Sequence, residues 1–196
     1  MAEFVVAGMK CPNNVFLAPL AGYTNYPFRS MCARLGAGLT FTEMVSCKGL
    51  LYGSEETKKL LLHGDESPKA AQIFGSDPAL MREVCESEDL APFDLIDINM
   101  GCPMPKVVRN GDGSALMENL PLAEKVIAAC AGSGKRISVK FRIGVDEDHR
   151  IAAEFARLCE GAGACMIAVH GRTRDKVYAG APDYAQIAEA KNAVNI

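Results

Sequence analysis

The stretch LIDINMGCPMPK, residues 95–106, decides the fold class of this chain of 196 residues. Its opening run, LIDIN, is too apolar for a strand with one face in water, which indicates a strand buried on both faces of a parallel sheet. Directly after the run, Gly101 permits a tight turn and Pro103 stiffens the exit, with Cys102 held between them. A packing cysteine belongs inside a helix or strand, so this one is placed for chemistry.

The same strand signal recurs along the chain. Further short apolar runs are VFLAP (15–19), LTFTE (39–43), AAQIF (70–74), ISVKF (137–141) and MIAVH (166–170). Amphipathic stretches lie between them, with Pro78 and Pro121 suited to first helical turns and Gly36 and Gly161 suited to helix ends. Six strand–helix units follow, an alternation that both a doubly wound sheet and a (β/α)8 barrel explain.

The residues at the strand ends favour the barrel. Each run finishes with a chemically useful side chain: Pro19, Glu43, Gln72, Asn99, Lys140 and His170. Such groups converge on one face of a barrel, whereas an open sheet strings them along an edge. We therefore predict an α/β fold of the TIM (β/α)8 type over residues 1–196, truncated after about six units, with about 60 residues of barrel missing. Two exposed sheet edges would then favour self-association.

Composition excludes several classes of function. The formal net charge of −3 gives no basic signal for DNA or for independent RNA binding. The eight cysteines include no C-x-x-C pair, which predicts no metal site and reduced thiols in a cytoplasmic protein. No apolar run is long enough to span a membrane, and no signal peptide is apparent.

Cys102 is the sharpest catalytic candidate. An ordinary thiol pKa of about 8.5 leaves it mostly protonated at neutral pH, so it can donate a proton without special tuning. It can instead act as a nucleophile if a neighbouring cation lowers that pKa. No histidine lies close in sequence, which favours the acid role.

Cationic and amide side chains at the other strand ends suggest a binding site. Lys140 and Arg142 share one face of their strand and form a cationic spot, suited to an anion, a polarised carbonyl or an electron-rich cofactor. His170 is followed by Arg172, which can hold a phosphate or a pyrimidine carbonyl. The amides of Gln72 and Asn99 both donate and accept, as a flavin ring or pyrimidine edge requires.

Four motifs in order resemble those of the tRNA-dihydrouridine synthases. LAPLAGYTNYPFR (17–29) resembles the family's LAPMAGVTDxPFR, with Leu20 and Asn25 as departures, and residues 97–117 resemble its D-x-N-x-G-C-P-x-x-K-V segment. VKFRIG (139–144) and VHGRTRDKVYAGAPDY (169–184) are similar to its later lysine and His-Gly-Arg-Thr motifs. The resemblance runs from about residue 15 to the end of the chain.

The resemblance implies an FMN enzyme that uses NADPH to reduce a uridine in tRNA to 5,6-dihydrouridine. Cys102 would protonate carbon 5 of the uracil while hydride leaves the reduced flavin for carbon 6. Flavin contacts would come from Pro19, Gln72, Lys140 and His170, and uracil contacts from Asn99 and Arg172, with Arg142 from the cationic spot beside them. The target base must leave its stack to reach such a site.

In the family, the flavin phosphate is bound by loops after the seventh and eighth strands, and a C-terminal helical domain supplies much of the grip on tRNA. We therefore expect residues 1–196 alone to bind FMN weakly and to have little or no activity on tRNA. Two alternatives stay open at this point: a flavin barrel that reduces a free pyrimidine, as dihydroorotate dehydrogenases do, and a barrel fragment without catalysis.

Overall fold

The computed structural model describes residues 4–196 and contains eight strands. The strands are β1 (Phe4–Val6), β2 (Met9–Cys11), β3 (Phe16–Leu17), β4 (Leu39–Ser46), β5 (Lys69–Phe74), β6 (Leu95–Met100), β7 (Ile137–Arg142) and β8 (Met166–His170). The α-helices are α1 (Tyr26–Arg34), α2 (Cys47–Leu51), α3 (Glu55–Lys59), α4 (Pro78–Glu86), α5 (Pro105–Arg109), α6 (Leu120–Ala131), α7 (Ala152–Gly161) and α8 (Tyr184–Asn192). Two 3₁₀ helices span Glu88–Leu90 and Gly113–Glu118.

Strands β3 to β8 form one parallel sheet in the order of the chain. A doubly wound sheet reverses its strand order at a switch point, and this sheet does not. One large apolar cluster joins the helices to one face of the strands, through residues such as Ile98, Val139, Met81 and Phe155. The α/β fold with six units of a TIM-type barrel is therefore confirmed, as are all six predicted strands.

The helix boundaries follow the signals in the sequence, with one difference. Pro78 and Pro121 lie in the first turns of α4 and α6, and Gly36 follows α1 with φ of +102°. Gly161, in contrast, is the last residue of α7, and the left-handed residue that ends this helix is Gly163, also at φ +102°. The helix therefore ends at Gly161, as the sequence predicts, and Gly163 supplies the left-handed residue that follows it.

The β1–β2 hairpin was not predicted, because strands of three residues are too short to show a pattern. Ala7 and Gly8 form its two-residue turn with φ of +50° and +72°. Met9 and Cys11 pack against Leu39 and Leu95 in a second apolar cluster. The hairpin thus closes the amino-terminal end of the sheet's inner face, and the polar side chains of that face lie towards the carboxyl end.

Within residues 4–196, none of the helices is both long and apolar enough to cross a membrane. All eight cysteines are free thiols, and five of them are buried.

Candidate active site

The polar residues predicted at the strand ends lie on the inner face of the sheet, opposite the helices. Alternation places residues two apart on the same face, and the parallel register brings neighbouring strands level. The level pairs are Gln72 with Asp97, Asp97 with Ser138, Asn99 with Lys140, and Arg142 with His170. The predicted residues therefore form successive layers above the apolar cluster of the hairpin.

A chain of hydrogen bonds crosses three strands at the base of the site. Gln72 Nε2 donates to Asp97 Oδ2 at 2.6 Å, and Ser138 Oγ donates to the other carboxylate oxygen at 2.5 Å. Asn99 Nδ2 donates to Gln72 Oε1 at 2.9 Å. Burial raises the pKa of Asp97, while the hydrogen bonds from Ser138 and Gln72 oppose the rise. This network fixes the amides of Gln72 and Asn99.

The loop that carries Cys102 is held at its backbone. Asn99 Oδ1 accepts the backbone N–H groups of Gly101 and Cys102 at 3.1 and 2.9 Å. The carbonyl oxygen of Cys102 accepts from Ser114 Oγ at 2.8 Å. A Cβ on Gly101 would lie 3.4 Å from the backbone of Phe141, so glycine lets the loop pack closely on β7. The thiol therefore sits on a fixed segment beside the inner face.

Burial raises the pKa of the half-buried Cys102 thiol, and the charge of Arg142 and a backbone hydrogen bond from Met104 offset part of the rise. A raised pKa keeps the proton on sulfur at neutral pH. Of the two chemistries open to a thiol, this environment favours the proton donor over the thiolate nucleophile.

Lys140 projects from β7 with its amine unpaired, making no hydrogen bond or ion pair within residues 4–196. Burial lowers its pKa and the charge of Arg142 adds to this, whereas Asp97 opposes it. A desolvated cation is costly unless it meets an opposite charge or electron-rich groups, so Lys140 is chemically suited to a ligand that supplies them.

His170 and Arg172 form the wall of the site on β8 and the loop that follows it. Arg172 Nη1 lies 3.2 Å from His170 Nε2, and Arg172 also donates to the carbonyl oxygen of Gly180. Burial and the charges of Arg142, Lys140 and Arg172 lower the pKa of His170 to about 4. The imidazole is therefore neutral at pH 7 and acts through hydrogen bonds rather than charge.

Arg142, predicted to contact substrate, has a buried guanidinium that contacts the protein itself. Its Nε donates to the carbonyl oxygen of Gly101 at 2.8 Å, and its Nη1 donates to those of Thr173 and Val177 at 3.0 and 2.8 Å. It thus joins the Cys102 loop to the loop after β8. A substrate contact stays a prediction for Arg142, whereas the clamp is its observed role.

The loop after β3 carries Pro19, which is half buried at the same carboxyl end of the sheet. This loop is tied to β4 because Glu43 Oε2 accepts the backbone N–H of Gly22. Thr24 closes the turn by accepting the N–H of Leu20 at 3.1 Å. Within residues 4–196, hydrogen bonds join two pairs of the predicted site side chains, Gln72 with Asn99 and His170 with Arg172. Pro19 belongs to neither pair.

Sequence reasoning missed Asp97, which is fully buried and bonded to Gln72 and Ser138. The signal was present, because Asp97 and Asn99 alternate within LIDIN and so share the inner face. An acidic residue inside an apolar run requires donors, and the polar Ser138 and Gln72 on neighbouring strands supply them.

A family model for dihydrouridine synthases (Dus) matches residues 16–196, which is nearly all of the sequence. The chain belongs to the dihydrouridine synthase family. The family match covers the whole parallel sheet, from β3 to β8, and every residue of the candidate site.

Curated relatives in the family are about 40% identical to this chain. The tRNA-dihydrouridine synthase B of Pseudomonas aeruginosa is 41% identical over 187 residues, covering 94% of this chain and 56% of that protein. Its namesake in Vibrio cholerae is 36% identical over 193 residues, covering 97% of this chain and 60% of that protein. The chain thus spans somewhat more than half the length of the curated relatives it matches.

Among solved structures, the chain is similar to a truncated form of 3-deoxy-D-arabino-heptulosonate 7-phosphate synthase from Thermotoga maritima. The identity is 16%, the TM-score is 0.47, and the match covers 97% of this chain and 64% of that chain.

Proposed function

We propose that this site takes part in the reduction of a uridine in tRNA to 5,6-dihydrouridine, with FMN as cofactor and NADPH as reductant. Family membership and relatives named tRNA-dihydrouridine synthase B support the reaction class. The observation that carries the proposal is a thiol with a raised pKa, Cys102, on a loop held by Asn99, whose partner in register on the neighbouring strand is Lys140 with its buried amine. A tRNA substrate would place the protein in the cytoplasm.

The residues present fit a flavin ring. An unpaired ammonium, a neutral imidazole and the unused N–H of an amide suit the ring nitrogens and carbonyls of an isoalloxazine. Lys140, His170 and Gln72 would hold it, with Pro19 at the edge of the site. The bound and reduced cofactor would supply a hydride to carbon 6 of the uracil. Lys140 would stabilise negative charge on the ring that it contacts.

The contacts of the remaining residues support a proposed role for each. Cys102 holds its proton at neutral pH and would transfer it from Sγ to carbon 5 of the uracil. Asn99 has its carbonyl oxygen committed to the Cys102 loop and one N–H to Gln72, so it would present to a uracil carbonyl the N–H that contacts Met44 Sδ at 3.8 Å. Arg172 would bind the uracil from the opposite side of the site. Arg142 would keep the Cys102 loop and the loop after β8 in place. The uridine must be unstacked before it reaches these groups.

The chain covers 55–60% of the curated relatives, and we propose that residues 1–196 alone bind FMN weakly and reduce tRNA poorly. The proposed function is therefore tested in two proteins. One is the chain itself, and the other is a chimera in which residues 1–196 replace the matching part of the Pseudomonas aeruginosa relative.

The chimera, given FMN, NADPH and tRNA without dihydrouridine, should form dihydrouridine, detected by mass spectrometry of the nucleosides. Its Cys102→Ala variant should lose at least about 100-fold in rate, as removal of a general acid does. The chain itself should quench FMN fluorescence only at high protein concentration. Turnover of free uracil or of dihydroorotate, with no action on tRNA, would point to an enzyme that acts on free pyrimidines. A folded chimera that binds no flavin would indicate a fragment without catalysis.

A further inference from the structure

The amide groups of Gln72 and Asn99 have orientations that are forced from both ends of the hydrogen-bond chain. At one end, two backbone N–H groups at residues 101 and 102 point to the Asn99 side chain, which must therefore present its oxygen. Its Nδ2 then faces Gln72, which must present Oε1. Gln72 Nε2 is left facing Asp97, which must supply an acceptor. An amide flip at any link would bring two donors or two acceptors together.

Asp97 is the anchor at the other end. Its carboxylate is fully buried, and each oxygen accepts one hydrogen bond, from Gln72 Nε2 and from Ser138 Oγ. A carboxylate oxygen can only accept hydrogen bonds, so the end of the amide that faces it must be the NH₂ donor. Asp97 therefore defines which way Gln72 points, and through Gln72 it defines Asn99.

We propose that Asp97 is a positioning residue for the proton donor: it orients the amides of Gln72 and Asn99, and the Asn99 oxygen in turn fixes the backbone of Cys102. The description of Cys102 as a proton donor rests on the proposed function, whereas the orienting role of Asp97 rests on the hydrogen bonds. The proposal assigns Asp97 no contact with substrate or cofactor, since Asp97 reaches the loop only through two intervening residues, Gln72 and Asn99, and three hydrogen bonds.

Substitutions at Asp97 separate orientation from charge. Asp97→Ala removes the acceptor, so the Gln72 amide loses its anchor. Asp97→Asn removes the charge but keeps a carbonyl oxygen for Gln72, because its NH₂ group can face Ser138. The Ser138 hydroxyl can accept as well as donate, which satisfies that arrangement. If Asp97 acts by orienting Gln72, Asp97→Asn should behave like the parent chain. If Asp97 acts through its charge on Lys140, Asp97→Asn should behave like Asp97→Ala.

The test measures the Cys102 loop directly in the whole chain, without an activity assay. The first readout is the amide hydrogen exchange of Gly101 and Cys102 by NMR. The second is the rate of Cys102 alkylation by iodoacetamide, quantified by peptide mass spectrometry with Cys32 on α1 as the internal reference. Ser138→Ala is the matched control, because it removes the other donor to Asp97 and leaves the path through Gln72 intact.

Asp97→Ala should speed exchange at residues 101 and 102 by about tenfold, as expected for the loss of one hydrogen bond's stabilisation. The rate of Cys102 alkylation relative to Cys32 should rise as well, because a loop that opens more often exposes the thiol more often. Asp97→Asn and Ser138→Ala should stay within about twofold of the parent chain. Unchanged exchange in a folded Asp97→Ala protein would overturn the proposal, and so would an Asp97→Asn protein as perturbed as Asp97→Ala.

If Asp97→Ala does not fold, Gln72→Met breaks the same path at its second link. The same increase in exchange is expected at residues 101 and 102, and its absence would count against the proposal. Both readouts concern the loop alone. Failure of the chimera to reduce tRNA would therefore contradict the proposed function and leave the orienting role of Asp97 to be decided by exchange.

Discussion

Arg142 Nε donates a hydrogen bond to the carbonyl oxygen of Gly101 at 2.8 Å, so the last residue of β7 holds the loop that begins where β6 ends. The same guanidinium bonds the carbonyl oxygen of Val177, a β-branched residue in the left-handed region at φ +52°. One side chain therefore fixes the loop of the proposed proton donor and a strained turn on the opposite wall.

Removing this clamp should destabilise the fold. Arg142→Ala leaves three backbone carbonyls without their donor, and we expect a loss of about 3 kcal/mol in the free energy of unfolding, measured by urea denaturation. Arg142→Lys should recover only part, since an ammonium does not reproduce the planar fork. Arg174→Ala is the control, because its exposed pair with Glu118 should contribute less than about 1 kcal/mol. Equal losses for Arg142→Ala and Arg174→Ala would contradict the clamp.

The Cys102 thiol should titrate above an ordinary cysteine. Because only the thiolate is alkylated, a raised pKa moves the rise in alkylation rate to higher pH than for a free cysteine, whose pKa is about 8.5. The pH profile of iodoacetamide labelling at Cys102 measures this. Arg142→Ala should move the profile further upward, since the guanidinium lowers the pKa of Cys102. A midpoint below that of free cysteine would favour a nucleophile instead of an acid.

The sequence predicted the site well where chemistry follows strand alternation, and less well where it depends on contacts between strands. Gln72, Asn99, Lys140 and His170 could be placed on one face because a period of two and a parallel register suffice. The clamp of Arg142 could not, since it depends on carbonyl groups of distant loops that carry no side-chain signal.

The fold shows the same division. Apolar runs of five residues predicted β3 to β8, whereas the β1–β2 hairpin has strands of three residues and a turn that lacks the usual Asn-Gly or Asp-Gly. The short helices α2 and α3 have five residues each and begin at Ser46 and Ser54 caps. Helices this short show no full amphipathic period, so their signal is the cap alone.

Replacing Lys140 should weaken flavin binding without loss of stability. Lys140→Met breaks no hydrogen bond or ion pair within residues 4–196 and removes a desolvated charge, so the melting temperature should not fall. Affinity for FMN, measured by fluorescence quenching of the chimera, should drop by about tenfold or more. The exposed Lys125→Met on α6 is the matched control and should change neither quantity. Unchanged affinity in Lys140→Met would remove Lys140 from the cofactor site.

The open edges of the parallel sheet should make the isolated chain self-associate. Among residues 4–196, β3 and β8 each pair with a single neighbouring strand, which leaves one backbone edge of each available. Sedimentation velocity should therefore show an average mass that rises with protein concentration. The chimera is the control, because its relative supplies further chain beyond the matched part. A chain that sediments as a monomer at all concentrations would show that these edges are protected.

The pKa values of His149, between β7 and α7, and of His170, at the end of β8, should depart in opposite directions from that of an ordinary imidazole. His170 has its pKa lowered to about 4 by burial and neighbouring cations, whereas Asp146 raises the pKa of the exposed His149 above 6.5. An NMR titration of the two imidazole rings should give midpoints on either side of 6.5.

The same shift in His170 makes folding sensitive to acid. The unfolded chain binds a proton at His170 near pH 6.5 and the folded chain only near pH 4, so the free energy of unfolding should decrease as pH falls through this interval. His170→Gln removes this dependence, and the difference in stability between the parent chain and this variant should therefore narrow or reverse from pH 7 to pH 4. His149→Gln should show the opposite trend, because its stabilising charge is present only below its raised pKa and is lost as pH rises. Parallel curves for the parent chain and His170→Gln would mean that the pKa of His170 is the same in the folded and unfolded chains, and the predicted neutral imidazole at the site would then lose its support.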